Sequence, residues 1–122
     1  MAAAAAAAAA LQHHTYLVGA DKIYICKACN IHLAANEHLI SRNFRANLGQ
    51  GHLFAHVVNV RLGRPRERQM ATGVHVVRDV YCAQCPDDNK IGWRYDRAAD
   101  DRQQYKEGKY ILEVQKTSKV RL

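Results

Sequence analysis

Four cysteines in two pairs of identical spacing constrain this chain of 122 residues more than any other feature. The pairs are Cys26-Lys27-Ala28-Cys29 and Cys82-Ala83-Gln84-Cys85, and the sequence contains no other cysteine. Two intervening residues let both sulfurs of a pair turn to one side of a tight bend, so each pair supplies two corners of a tetrahedron. The spacing therefore predicts one structural Zn²⁺ bound by Cys26, Cys29, Cys82 and Cys85.

Two other uses of the cysteines are less consistent with the sequence. Two disulfides would suit a secreted domain, but no signal peptide is recognisable. A thioredoxin-like redox motif usually occurs once, whereas here two equivalent copies are present. A site closed by four thiolates has no open coordination position, which indicates a structural role for the metal. The thiols must stay reduced, so we expect a location in the nucleus and cytoplasm and no secretion.

The length predicts one folded domain, flanked by two tails. Residues 1–20 form an Ala-rich, low-complexity segment that we expect to be disordered, since nine consecutive alanines form only a marginal helix without tertiary support. Residues 21–115 are the predicted domain, and the basic residues within 116–122 indicate a solvated tail. The alanine run is too short and too weakly apolar to cross a bilayer, so no membrane partner is expected.

Alternating apolar and β-branched residues predict a mainly β fold with one short helix. The helix is expected within residues 97–106, and a turn is expected over 47–51. The segment 53–60 is almost continuously apolar, which predicts a central strand covered on both faces. The predicted strands are 22–26, 53–60, 73–82, 91–95 and 109–114.

The net charge of +7 is concentrated in part around a short arginine-rich stretch, residues 61–68. Such a stretch could bind nucleic acid or an acidic partner, but a solvated turn between two strands is the favoured interpretation. No aromatic residue is interleaved with these arginines, so a stacking platform for single-stranded nucleic acid is not indicated. Trp93 is the only tryptophan, and it is either a core residue beneath a cysteine pair or the floor of a binding cleft.

Motifs of common enzymes are missing from the sequence. It contains no Gly-rich phosphate loop, no nucleophile elbow and no HExxH spacing among its seven histidines. Committing every cysteine to zinc leaves no thiol nucleophile. We therefore expect a protein that is not an enzyme.

From Lys22 to about Val114, the chain resembles the yippee-like family of zinc-binding proteins. The matching segments are Tyr24-Ile25-Cys26-Lys27-Ala28-Cys29, His32-Leu33-Ala34, Leu39-Ile40-Ser41, Leu53-Phe54, Val57-Val58-Asn59-Val60, Asp79-Val80-Tyr81-Cys82, Ile91-Gly92-Trp93-Arg94-Tyr95 and Gln104-Tyr105-Lys106-Glu107-Gly108-Lys109-Tyr110-Ile111-Leu112-Glu113. The chain departs from the family at Ala46, at Gly51-His52 and in a lengthened turn, Pro86 to Lys90.

The resemblance implies a β-tent fold, in which two antiparallel sheets are pinned by one four-cysteine zinc site. It also implies a cleft between the sheets, for which aromatic and polar residues within the predicted strands are candidate lining residues. Methionine sulfoxide reductase B and the drug-binding domain of cereblon look similar in architecture, but their functions are not implied. The reductase needs a further cysteine, and the cereblon-like site needs several tryptophans. The candidate cleft residues are Phe54, Asn59, His75, Trp93 and Tyr95.

Members of the family are associated with the nucleus, the spindle and cell growth or division. Some resemble accessory subunits of the GID/CTLH ubiquitin ligase, which implies an adaptor that binds protein partners, including ubiquitin-ligase subunits. Two alternatives stay open: a nucleic-acid-binding zinc domain, and a reader of a small molecule or a modified peptide in the cleft between the sheets.

Overall fold

The structure, a computed structural model, describes residues 14–122, so the alanine tract lies outside the described residues. The described part contains ten β-strands, which are β1 Lys22–Cys26, β2 His32–Ala35, β3 Leu39–Arg45, β4 Gln50–Phe54, β5 Val60–Leu62, β6 Arg66–Met70, β7 Gly73–Cys82, β8 Lys90–Ala98, β9 Tyr110–Glu113 and β10 Thr117–Arg121. Its three short 3-10 helices are Asn36–His38, Asp101–Lys106 and Val114–Lys116. No helix in residues 14–122 is both long enough and apolar enough to span a membrane.

The strands form two antiparallel sheets. The smaller sheet has the order β10-β1-β2, and the larger has the order β3-β4-β9-β8-β7-β5, with β6 paired to β7 as well. The longest strand, β7, alternates buried and more exposed positions, as a strand with one covered face requires. It pairs with β8 in a register that places His75 opposite Ala98 and Asp79 opposite Trp93. The predicted class, mainly β with two antiparallel sheets, is confirmed.

Two buried clusters form the core. The first lies between the sheets and joins Tyr24 and Leu33 of the smaller sheet to Phe54 and Leu112 of the larger one. The second is made within the larger sheet by Leu53, Val77, Trp93, Tyr95 and Ile111. Trp93 therefore belongs to the second cluster and does not lie beneath the cysteine pairs.

The predicted strand 53–60 is wrong beyond Phe54. Strand β4 ends there, and β5 begins only at Val60. Between them Asn59 adopts a left-handed conformation with φ 61°, which a continuous strand does not allow. The apolar residues of this segment pack on the first core cluster instead, and the amide of Val58 donates to the carbonyl of Leu33. This half-buried connection between two strands of the larger sheet is as apolar as a strand, so the pattern could not distinguish the two.

Both predicted tails need revision where the structure describes them. Residues 116–122 were expected to be a solvated tail outside the domain, but β10 pairs along the whole of β1, from Lys22 opposite Arg121 to Cys26 opposite Thr117, while the side chains of Lys119 and Arg121 are exposed. This pairing fills the second edge of β1, which would otherwise leave backbone groups unpaired. The part of the Ala-rich segment from residue 14 onwards also contacts the domain, where Thr15 and Asn59 exchange two hydrogen bonds of 2.7 Å.

The helix and the turn were predicted in the right regions with different bounds. Strand β8 continues to Ala98, and the 3-10 helix begins at Asp101, where the side chain of Asp100 accepts a hydrogen bond from the amide of Arg102. The turn is centred on Gly49, with φ 138°, whereas Gly51 already belongs to β4.

Substitution of Gly92 in β8 tests how closely strands β8 and β9 approach each other. A Cβ atom at this position would overlap the carbonyl oxygen of Ile111, which belongs to the neighbouring backbone and cannot move aside. We expect Gly92→Ala to lower the free energy of unfolding by about 3 kcal/mol or more. Gly63→Ala is the control, because its Cβ would lie 3.5 Å from the nearest atom, an ordinary contact. Chemical denaturation of both variants measures the difference, and equal stabilities would contradict this packing.

Candidate metal centre

The four cysteine sulfurs form one compact cluster. The Sγ atoms of Cys26 and Cys85 are 3.7 Å apart, and those of Cys29 and Cys82 are 3.4 Å apart. All four sulfurs lie within 4.8 Å of one another. Four thiolates around Zn²⁺, at about 2.3 Å from the metal, are separated by about 3.8 Å in an ideal tetrahedron. The donor set and its dimensions therefore fit one zinc ion.

Each cysteine pair begins at the last residue of a strand. Cys26 ends β1 of the smaller sheet, and Cys82 ends β7 of the larger sheet. After Cys26 the chain reverses through Asn30, which has φ 65°, and the amide of Asn30 donates to the carbonyl of Cys26 at 2.7 Å. The metal thus joins the ends of two strands from different sheets, as the predicted pinning of the sheets requires.

The protonation of the thiols depends on a nearby cation. Burial raises the pKa of Cys26 and the pKa of Cys82 above the ordinary thiol value, so without a nearby cation these two thiols would stay protonated. At Cys29, burial also acts to raise the pKa, but hydrogen bonds from the backbone of Ile31 and from Cys82 outweigh it and lower the pKa. Zn²⁺ supplies the positive charge that holds all four sulfurs as thiolates.

Two side chains beside the cluster were not identified from the sequence. Asn89 places its Nδ2 atom 3.6 Å from the Cys26 sulfur and 3.5 Å from the Cys85 sulfur, so it donates to one member of each pair. Lys116 in turn donates from Nζ to Oδ1 of Asn89 at 3.2 Å. Four thiolates on one Zn²⁺ carry an excess of negative charge, and these donors offset it. Asn89 lies in the lengthened turn after Cys85, which was the available signal in the sequence.

The five candidate cleft residues do not line one cavity. Phe54 is fully buried in the first core cluster. Asn59 connects the segment before β5 to the carbonyls of His32 and Thr15. His75 is buried, and its Nδ1 atom lies 2.9 Å from the carbonyl of Gly73. Trp93 and Tyr95 line the same cavity, which lies over the second core cluster of the larger sheet.

Cys82→Ser removes one metal ligand and tests the structural role of the zinc. We expect the variant to lose its zinc and its cooperative unfolding transition, because folding of such sites is coupled to metal binding worth about 10–16 kcal/mol. Metal analysis and thermal unfolding followed by circular dichroism measure both effects. Ala83→Ser is the control, since it introduces a serine at the neighbouring position, which is exposed. A Cys82→Ser protein that unfolds as the wild type does would exclude a structural metal.

Asn89→Ala tests the donor beside the thiolates. We expect zinc affinity to fall about 10- to 100-fold, as for other groups that hydrogen-bond to metal ligands, while zinc-saturated protein keeps its fold. Competition with a chromophoric chelator measures the affinity. Asp87→Ala, in the same turn and exposed, should leave it unchanged. If both variants match the wild type, Asn89 has no role in holding the metal.

Comparison with known proteins agrees with this geometry. The family model described as "Yippee zinc-binding/DNA-binding /Mis18, centromere assembly" matches residues 22–122. A yippee-like protein of Arabidopsis thaliana is 43% identical over 96 residues, which cover 79% of this chain and 78% of that protein. A yippee-like protein of Caenorhabditis elegans is 43% identical over 99 residues, covering 81% and 71%. Protein yippee-like 3 of Bos taurus is 42% identical over 99 residues, covering 81% and 82%.

A solved structure confirms the fold independently. The crystal structure of the Mis18 "Yippee-like" domain superposes with a TM-score of 0.64, covering 84% of this chain and 97% of that chain, at 16% sequence identity. At that identity the likeness shows the fold and nothing more. With the four clustered cysteines, the matched family model and relatives above 40% identity, the chain belongs to the yippee family of zinc-binding domains and holds one structural Zn²⁺.

Proposed function

We propose that this protein is a non-enzymatic, zinc-stabilised interaction module. It would act as an adaptor for protein partners, as an accessory subunit of a GID/CTLH-type ubiquitin ligase with a role in cell growth or division. The observation that carries the proposal is the closed metal centre, in which four protein sulfurs occupy the four positions of a tetrahedral ion. Such a zinc has no position at which to bind a substrate or activate water. Within residues 14–122, no second group of three or more metal-binding side chains exists.

Strand β3 offers an edge for a protein partner. It is the first strand of the larger sheet and, among the described strands, pairs only with β4. Its other edge therefore presents backbone groups that a strand from another protein can pair with. The strand exposes 46% of Ile40, together with Arg42 and Arg45. These side chains suit a partner strand that carries apolar and acidic residues.

The arginine-rich stretch gives less support to nucleic-acid binding than its sequence suggested. Arg61 pairs with Asp88 at 2.6 Å, and Arg66 pairs with Asp79 at 2.9 Å. Arg68 donates to the side chain of Asn47 at 3.0 Å. The guanidinium groups of Arg61 and Arg66 already pair with carboxylates within the domain, so they can contact phosphates only by breaking those ion pairs. The proposed adaptor role does not depend on them.

The proposed location in the nucleus and cytoplasm follows from the chemistry of the metal centre. Zinc binding needs all four thiols reduced, and these compartments maintain thiols in that state. In an oxidising compartment the sulfurs of Cys29 and Cys82, 3.4 Å apart, would be close enough to form a disulfide and displace the metal. Imaging of a tagged protein in cells of its source checks this location.

Affinity capture from cells of the same source tests the adaptor role. The tagged protein is captured with nuclease present, beside Ile40→Asp on β3 and Val74→Asp, a control that changes another exposed apolar residue, on β7. We expect ubiquitin-ligase subunits with the wild type and Val74→Asp, and their loss with Ile40→Asp. Recovery of these subunits from all three proteins would exclude the β3 edge as their binding site. Recovery of nucleic acid alone, in a capture without nuclease, would exclude the adaptor role.

A further inference from the structure

A cavity of about 520 Å³ lies over the second core cluster, in the part of the larger sheet remote from the cysteines. Residues of β3, β6, β8 and the 3-10 helix Asp101–Lys106 form its walls. The hydrogen bond from Arg68 on β6 to Asn47 beyond β3 closes one side of it. Cavities of this size hold small ligands in other proteins. Its central lining residues are Phe44, Arg68, Thr72, Trp93, Tyr95 and Lys106.

The charged residues that line this cavity are all positive. They are Arg45, Arg68 and Lys106, and no aspartate or glutamate is among the lining residues. Arg68 lies over the ring of Trp93, with its guanidinium carbon 5.4 Å from the ring centre. A cavity lined by cations and aromatic rings favours an anionic ligand with an apolar body.

Lys106 is the strongest single indication of a ligand. Only 3% of it is exposed, and it takes part in none of the ion pairs formed by residues 14–122. Its Nζ atom donates to the hydroxyl of Thr72 at 3.1 Å and lies 5.3 Å from the ring centres of Phe44 and Tyr95. An ammonium group has three hydrogens to donate, so this contact leaves donors for a further acceptor. Burial lowers the pKa of Lys106, which an anion beside it would counteract.

Trp93 supplies a second buried donor, whose hydrogen bonding is incomplete. The residue is 3% exposed, and its Nε1 atom makes no hydrogen bond of normal geometry with the described residues, although the hydroxyl of Tyr95 lies beside it. Buried donors of this kind are rare in folded proteins, and each one costs free energy unless something accepts its hydrogen. Lys106 has hydrogens left to donate and Trp93 has an N–H without a well-formed hydrogen bond, so the walls of this cavity favour a ligand that carries acceptor oxygens.

We propose that this cavity binds a small organic acid, in which a carboxylate faces Lys106 and Arg68 and a flat apolar group packs against Phe44, Trp93 and Tyr95. A cationic ligand such as a methylated lysine is disfavoured, because the ammonium group of Lys106 already lies among the aromatic rings that would receive it. The carboxylate could belong to a free acid or to the C-terminal end of a peptide, and both present the same chemistry.

Fluorescence of Trp93 provides a direct measurement, since it is the only tryptophan in the chain. The zinc-bound full chain is titrated with benzoate and with benzamide, its neutral counterpart, and then with N-acetyl-phenylalanine and its amide. We expect each acid to bind at least about tenfold more tightly than its amide. A preference for benzoate indicates a free acid, and a preference for N-acetyl-phenylalanine indicates a peptide end. Absence of binding by both acids, or equal binding of acids and amides, would overturn the proposal.

Lys106→Met separates a binding role from a structural one. It keeps the apolar part of the side chain and removes a buried charge that has no carboxylate partner, so stability should be equal or higher. We expect affinity for the preferred acid to fall at least about tenfold, while affinity for its amide stays the same. Lys109→Met, a neighbour that does not line the cavity, is the control. An unchanged affinity in a stable Lys106→Met protein would exclude this site.

Discussion

The meeting of the two cysteine pairs is the contact on which the rest of the structure depends. It joins the end of β1 to the end of β7, so it links a three-stranded sheet to the larger one. A sheet as small as β10-β1-β2 has marginal stability alone and needs a packed face. Tyr24 and Leu33 supply that face against Phe54 and Leu112, in the cluster that also contains Cys26 and Cys82. We therefore expect zinc binding and formation of this core to be coupled.

The closed metal centre also determines where function can reside. With its coordination complete, the zinc has a structural role, so the proposed recognition would use other surfaces. The two proposed binding surfaces are the outer edge of β3 and the cavity over the second core cluster. Both involve the β3–β4 hairpin. That hairpin reaches β6 through the contact between Asn47 and Arg68. A partner strand on β3 and an acid in the cavity would therefore bind to adjoining parts of the molecule.

Sequence patterns predicted the bounds of a strand correctly where the strand keeps one face covered along its whole length. Strands β1 and β7 were predicted with their observed bounds, because alternation and the cysteine pair that follows mark them locally. The prediction for segment 53–60 failed because its apolar residues belong to two different strands of the larger sheet and to the connection between them. Leu53 and Phe54 end β4, Val60 begins β5, and Val57 lies between the two strands. An apolar run shows that residues are buried but not against which element.

By itself, the sequence determined the metal ligands, the β class and the family, because each depends on residue types at short, fixed separations. Tertiary structure alone decided the pairing of β10 with β1, the hydrogen bonds of Asn89 to the cysteine sulfurs, and the meeting of Trp93 with Lys106 and Phe44 around one cavity. These contacts join residues far apart in the chain. No local pattern encodes them, because they form only when packing of the two sheets brings their elements together.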